Sequence, residues 1–190
     1  MQFVNPNKVL LEREMNELDK LVIDFISILK KHVDYVIISG YVSLLFGRSR
    51  TTEDVDVFIK ELTDKHLAEL YENLTEKGYW CINAEELQTI SEYLNSGSAV
   101  RFAKINSTIP NFEVKFALKQ LDLEAFKDFV VVETRLGQLK ISSLERQIAY
   151  KRFYLKSPKD TEDAEFIENL FKDKLNKDKI NKYKILLKSI

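Results

Sequence analysis

The chain has 190 residues, 29 Lys plus Arg against 30 Asp plus Glu, a formal charge of -1, 45% hydrophobic residues and one cysteine. That length fits one domain, or a core with a helical annex, able to bury roughly 70% of its unfolded surface. The lone thiol of Cys81 allows no internal disulfide, no export signal is recognisable, and the longest uncharged stretch, Tyr35 to Gly47, is too short to span a membrane. A cytoplasmic protein without membrane contact is therefore expected, and its near-neutral charge excludes the strong positive field of a dedicated nucleic-acid binder.

With only 5 Gly and 3 Pro, the composition favours helices with a modest sheet. The first segment, Lys8 to Lys31, spaces Val9, Leu10, Met15, Leu18, Val22, Phe25, Ile26 and Leu29 as one apolar helical face, with Asn5-Pro6-Asn7 as its start signal. Val33 to Ser39 carries a short β-branched apolar run and predicts a central strand covered on both faces. Gly40 follows, then a short helix from Tyr41 to Phe46, a polar turn from Gly47 to Thr52, and a second strand, Asp54 to Ile59.

Thr63 caps a helix running to Lys77, which Gly78 ends. A short strand at Tyr79 to Ile82 and a helix at Ala84 to Leu94 come next. Ala99 to Ile105 and Phe112 to Leu118 alternate as paired strands, and Val130 to Thr134 with Gln138 to Ile141 form a hairpin around Gly137. Ser143 and Ser157-Pro158 open the last predicted helices. The expected division is an N-terminal helix plus an α/β core over 1–142 and a helical extension over 143–190. Seven lysines in the closing twenty residues (172, 174, 177, 179, 182, 184 and 188) form either a solvated helix face or a surface for a phosphate backbone such as RNA.

The chemistry concentrates in two stretches. Residues two apart on a strand share a face, so Asp54 and Asp56 project together while Val55 and Val57 pack on the other side. Such a pair suits a hard cation, Mg2+ or Mn2+, which prefers carboxylate oxygens together with water and phosphate. Glu113 occupies the polar face of Phe112 to Phe116 and is either a third ligand beside them or a partner of Lys115 or Lys104. Gly40 either brings phosphates close to the backbone or supplies a positive φ, and Arg48, Arg50 and Thr52 are candidate phosphate contacts. No zinc spacing, nucleophile elbow, Walker loop or dinucleotide fingerprint is present.

The succession of strand, Gly40, short helix, Gly47-x-x-Arg50-x-Thr52-x-Asp54-x-Asp56 and a later acidic strand resembles the DNA polymerase beta-like nucleotidyltransferase superfamily. Its small prokaryotic members related to the AbiEii toxins are the most similar. Leu144 to Lys151 followed by Lys159-Asp160-Thr161-Glu162-Asp163 is similar to that group's C-terminal elements, and the likeness covers about Val33 to Leu170. The resemblance implies an α+β fold with a mixed sheet flanked by helices, and transfer of a nucleoside monophosphate from an NTP to a hydroxyl on RNA, protein or a small molecule.

It also implies that Asp54, Asp56 and Glu113 are the catalytic and metal-binding set, with Glu113 as candidate base. Ser39, Gly40, Tyr41, Ser43, Arg50, Thr52 and Lys151 become candidates for the nucleotide, and Asp160 or Asp163 would order Lys151. Gly40-Tyr41 departs from the usual Gly-Ser or Gly-Gly, which places a phenol in the expected phosphate path. A scaffold without catalysis, such as a toxin-antitoxin component with a protein partner, is the alternative that this departure motivates.

Overall fold

The computed structural model describes residues 1–189. In chain order the elements are β1 (Gln2–Asn5), β2 (Lys8–Leu10), α1 (Glu17–Leu29), β3 (Tyr35–Ile37), α2 (Gly40–Leu45), β4 (Asp54–Ile59), α3 (Asp64–Glu76) and β5 (Tyr79–Cys81). The chain continues through α4 (Leu87–Asn95), β6 (Val100–Lys104), β7 (Asn111–Phe116), α5 (Gln120–Leu123), β8 (Phe129–Thr134) and β9 (Gly137–Ser142). Helices α6 (Leu144–Tyr150), α7 (Pro158–Phe171) and α8 (Lys177–Leu186) complete it. All strands of the described residues join one mixed sheet in the order β1-β2-β8-β9-β3-β4-β7-β6-β5.

The fold is α+β with a mixed sheet flanked by helices, but the sheet is larger than the composition implies. The N-terminal expectation is corrected: Lys8 to Lys31 is not one helix. Asn5 Oδ1 accepts from Asn7 N at 2.9 Å, turning the chain at the predicted helix start, and β2 then lies parallel to β8 with Val9 buried. The helix begins only after Asn16, whose side chain caps Asp19 N while the Asp19 carboxylate accepts from Asn16 N. Val9 and Leu10 happen to continue the helical spacing, yet the burial of Val9 comes from the sheet.

Elsewhere local signals hold. Thr63, Ser143 and Ser157 cap α3, α6 and α7, each accepting a backbone N–H three residues on. Strand β3 is buried throughout and lies between β9 and β4. The helix that Ser143 opens is regular only to Tyr150 and then widens into a π-helical turn over Lys151–Leu155, ended by Lys156 in a left-handed conformation. The core is continuous: Ala164, Ile167 and Phe171 of α7 and Ile180 and Tyr183 of α8 share one hydrophobic cluster with Val9, Phe25 and Val55. No helix among the described residues is long and apolar enough to cross a membrane.

Candidate active site

Along β4 burial alternates, with Val55, Val57 and Ile59 inside and Asp54, Asp56 and Phe58 on the opposite face. Strand β7 alternates in phase, placing Asn111, Glu113 and Lys115 on that same face. The two strands run parallel with Asp54 beside Asn111 and Asp56 beside Glu113. Backbone pairing alone therefore brings Asp56 and Glu113 side by side, with Asp54 one pleat along.

The three carboxylates are not drawn into a ready-made cluster: among the described residues no three acidic, His or Cys side chains stand as one. Cations already hold two of them. Arg101, opposite Glu113 on β6, reaches its Oε1 through Nε at 2.8 Å and through a terminal nitrogen at 2.6 Å. Lys115 reaches Glu113 Oε2 at 3.4 Å and Asp56 Oδ1 at 4.0 Å. Of the two salt-bridge partners anticipated for Glu113, Lys115 is present, whereas Lys104 pairs with Asp24.

Burial pushes the Asp56 carboxyl up to about 6; Lys115 opposes this, Asp54 and Glu113 add to it, and the nearby Ser39 hydroxyl works against it. Ser39 adopts φ 62 and ψ -136, a region nearly reserved for glycine, immediately before α2. Gly40 itself has no positive φ, so that reading of the glycine is corrected. A side chain there would meet the Arg50 guanidinium, whose nearest nitrogen lies 2.9 Å from the Cβ position. Gly40 is the seat of Arg50.

Arg50 and Arg48 both pair with the fully buried Asp163 of α7, and Arg48 also binds Glu162 at 2.6 Å. Lys151 is 1% exposed and donates to Asp163 Oδ2 at 2.8 Å and Asp160 Oδ1 at 3.2 Å. Burial pushes its ammonium down while Asp160 pulls it up. Thr52, in the turn before β4, donates to Asp54 O at 2.9 Å.

Two expected nucleotide contacts are corrected. Tyr41 is fully buried and its hydroxyl donates to Asp19 Oδ1 at 2.8 Å, so the phenol does not enter the cleft. The first turn of α2 aims that side chain toward α1, where Arg13 and the Asn16 cap complete the carboxylate's partners. Ser43 is also fully buried, on the core side of α2.

A cleft of about 520 Å³ runs from Ser39 and Asp56 along Phe58 and Lys115, with Lys151 and Tyr150 of the α6 segment as its opposite wall. Sequence reasoning did not assign Lys119, Asp122, Arg146, Tyr150 and Tyr154, which also line it. The helical spacing of Arg146, Tyr150 and Tyr154 was the available signal. Asn111 was likewise unassigned; beside Asp54 it carries a buried amide oxygen without a hydrogen-bond partner. Carboxylate oxygens and a spare amide oxygen on one sheet face fit a hard divalent cation.

Residues 17–187 match the family described as "Nucleotidyl transferase of unknown function (DUF2204)". The chain belongs to this nucleotidyl transferase family. No curated protein matches it. Among solved structures it is similar to an antigenic nucleotidyltransferase-like protein from Paracoccidioides brasiliensis, with 18% identity over 90% of this chain and 87% of that one and a TM-score of 0.53. The lincosamide antibiotic adenylyltransferase LnuA, lincomycin-bound, is 15% identical over 83% of this chain and 99% of that one, with a TM-score of 0.55. ANT(2")-Ia in complex with adenylyl-2"-tobramycin is 13% identical over 90% of this chain and 96% of that one, also at a TM-score of 0.55. These likenesses show a shared nucleotidyltransferase fold.

Proposed function

We propose that the protein is a Mg2+-dependent nucleotidyltransferase that moves a nucleoside monophosphate from an NTP to an acceptor hydroxyl. The observation that carries this reading is the in-register pairing of Asp56, which lines the cleft, with Glu113 on the neighbouring strand, on the sheet face that also bears Asp54. Asp54, Asp56 and Glu113 would hold the divalent ion, Mg2+ or Mn2+. When bound, such an ion neutralises phosphate charge and activates an attacking oxygen.

The chain's own groups supply the rest. Glu113, released from Arg101 and Lys115, accepts the proton of the acceptor hydroxyl. Lys151 lines the cleft, held there by Asp160 and Asp163, and it is the main candidate for the triphosphate. Ser39, with its strained backbone, lines the cleft together with Asp56 and keeps its hydroxyl available to a ligand there. Arg50 acts from Asp163 as a neighbouring positive charge. The helical extension that starts at residue 143 closes one side of the cleft through Arg146, Tyr150 and Lys151.

The acceptor is a hydroxyl on RNA, a protein or a small molecule. A small molecule is the choice that the antibiotic-modifying structural relatives favour. The scaffold reading, including a toxin-antitoxin role in the manner of the AbiEii relatives, rested on Tyr41 blocking phosphate. That side chain lies on Asp19 instead, so catalysis is the reading we adopt. Incubation with α-labelled NTPs and Mg2+ across pools of RNA, protein and hydroxylated small molecules should give pyrophosphate and a labelled product. No NTP binding, with Asp54→Ala and Asp56→Ala identical to the parent, overturns it.

A further inference from the structure

Lys115 lies two residues beyond Glu113 on β7, so both project from the face that carries Asp56. Its ammonium is 4.0 Å from Asp56 Oδ1 and 3.4 Å from Glu113 Oε2. One positive charge thus serves two neighbouring carboxylates. Arg101 binds the other oxygen of Glu113 and does not line the cleft, whereas Lys115 does. A divalent cation shared by Asp56 and Glu113 would need the region that this ammonium fills.

Resting on the proposed role of the acidic residues, we propose that Lys115 is a displaceable stand-in for the metal ion. In the ion-free protein its ammonium neutralises Asp56 and Glu113. On ion binding it leaves for the adjoining cleft, where it meets an anionic group of the ligand. Two physical features permit the exchange. A single ammonium and a divalent ion repel each other and so compete for the two carboxylates. The Lys115 side chain is 34% exposed on a flexible four-carbon stem, so it swings without opening the core. Metal affinity in the absence of nucleotide is then held down by an internal competitor.

The test is Mn2+ binding without nucleotide, followed by the paramagnetic resonance signal of free Mn2+, on the parent, Lys115→Met, Lys115→Arg and Asp56→Ala. Thermal unfolding establishes that each variant is folded. Lys115→Met should bind Mn2+ roughly five- to tenfold tighter, as removal of one nearby positive charge implies. Lys115→Arg, which keeps the charge, should stay close to the parent. Binding by Lys115→Met that is equal to or weaker than the parent's overturns the proposal. If the parent binds Mn2+ and Asp56→Ala loses it while Lys115→Met is unchanged, only the stand-in role fails. If neither the parent nor Lys115→Met binds Mn2+, the acidic-site reading fails as well. Binding by Lys115→Met alone supports the exchange most strongly.

Discussion

Two aspartates, one buried and one half-buried, show how one side chain serves opposite ends. Asp19 is 1% exposed and its oxygens accept from Tyr41, Arg13 and Asn16 N at 2.7 to 2.9 Å. Its network ties α1 to α2 and is closed. Asp56 has a lysine at 4.0 Å and two carboxylate neighbours, and burial has raised its carboxyl to about 6. The first arrangement is complete without a ligand; the second has charge left over that an added cation would satisfy. Completed polar networks hold a fold together, while incompletely matched ones mark where a protein acts.

The contrast is broken most sharply by activity. Asp56→Ala should reduce nucleotide transfer by about 10³-fold or more, since loss of metal-borne charge stabilisation is worth several kcal/mol. Labelled-product assays on parent and variant check this; retention of more than about a tenth of the rate would place the chemistry elsewhere. Asp163→Ala should cost about 3–5 kcal/mol in urea unfolding, because Arg48, Arg50 and Lys151 would lose a shared buried partner. A loss below about 1 kcal/mol would mean that the cations re-pair freely.

Next comes pH. The folded-state value of Asp56, about 6, lies above its ordinary 3.8, so the protonated carboxyl favours the fold and that stability is lost as pH rises through 6. Asp56→Asn should therefore gain on the parent by up to about 3 kcal/mol between pH 4 and pH 8 without metal. Unfolding curves at the two pH values decide it, and a gain at pH 4 with none at pH 8 would reverse the sign.

Tyr41→Phe should lose about 1–2 kcal/mol by leaving Asp19 short of a donor, with Mg2+-dependent NTP binding unchanged. Weakened NTP binding would return the phenol to the cleft. The smallest effect is Ser39→Gly, expected to relieve about 1 kcal/mol of backbone strain. Unchanged or lower thermal stability would show that Ser39 is not strained.

What the sequence disclosed was whatever short stretches decide by themselves. The alternation of Asp54 to Ile59, the caps at Thr63, Ser143 and Ser157, and the buried run of β3 are local and were readable. The side-by-side placement of Asp56 and Glu113 was an expectation that needed β4 and β7 to be neighbours, and the sheet makes them so. The N-terminal hairpin escaped because Val9 and Leu10 fit a helical period while β8, their real partner, lies over a hundred residues away. Tyr41 was misplaced because Asp19 belongs to a different helix, and the Arg101 contact because it depends on the β6–β7 register. Lys115 was visible only as a neighbour of Glu113; its reach to Asp56 is a property of the paired strands.

The most direct measurement is equilibrium binding of a non-hydrolysable NTP to the parent, Asp54→Ala and Asp56→Ala, each with and without Mg2+. Binding that requires Mg2+ in the parent and disappears in both variants is the predicted result. Equal binding by all three proteins, or binding indifferent to Mg2+, would contradict a carboxylate-held ion as the basis of function.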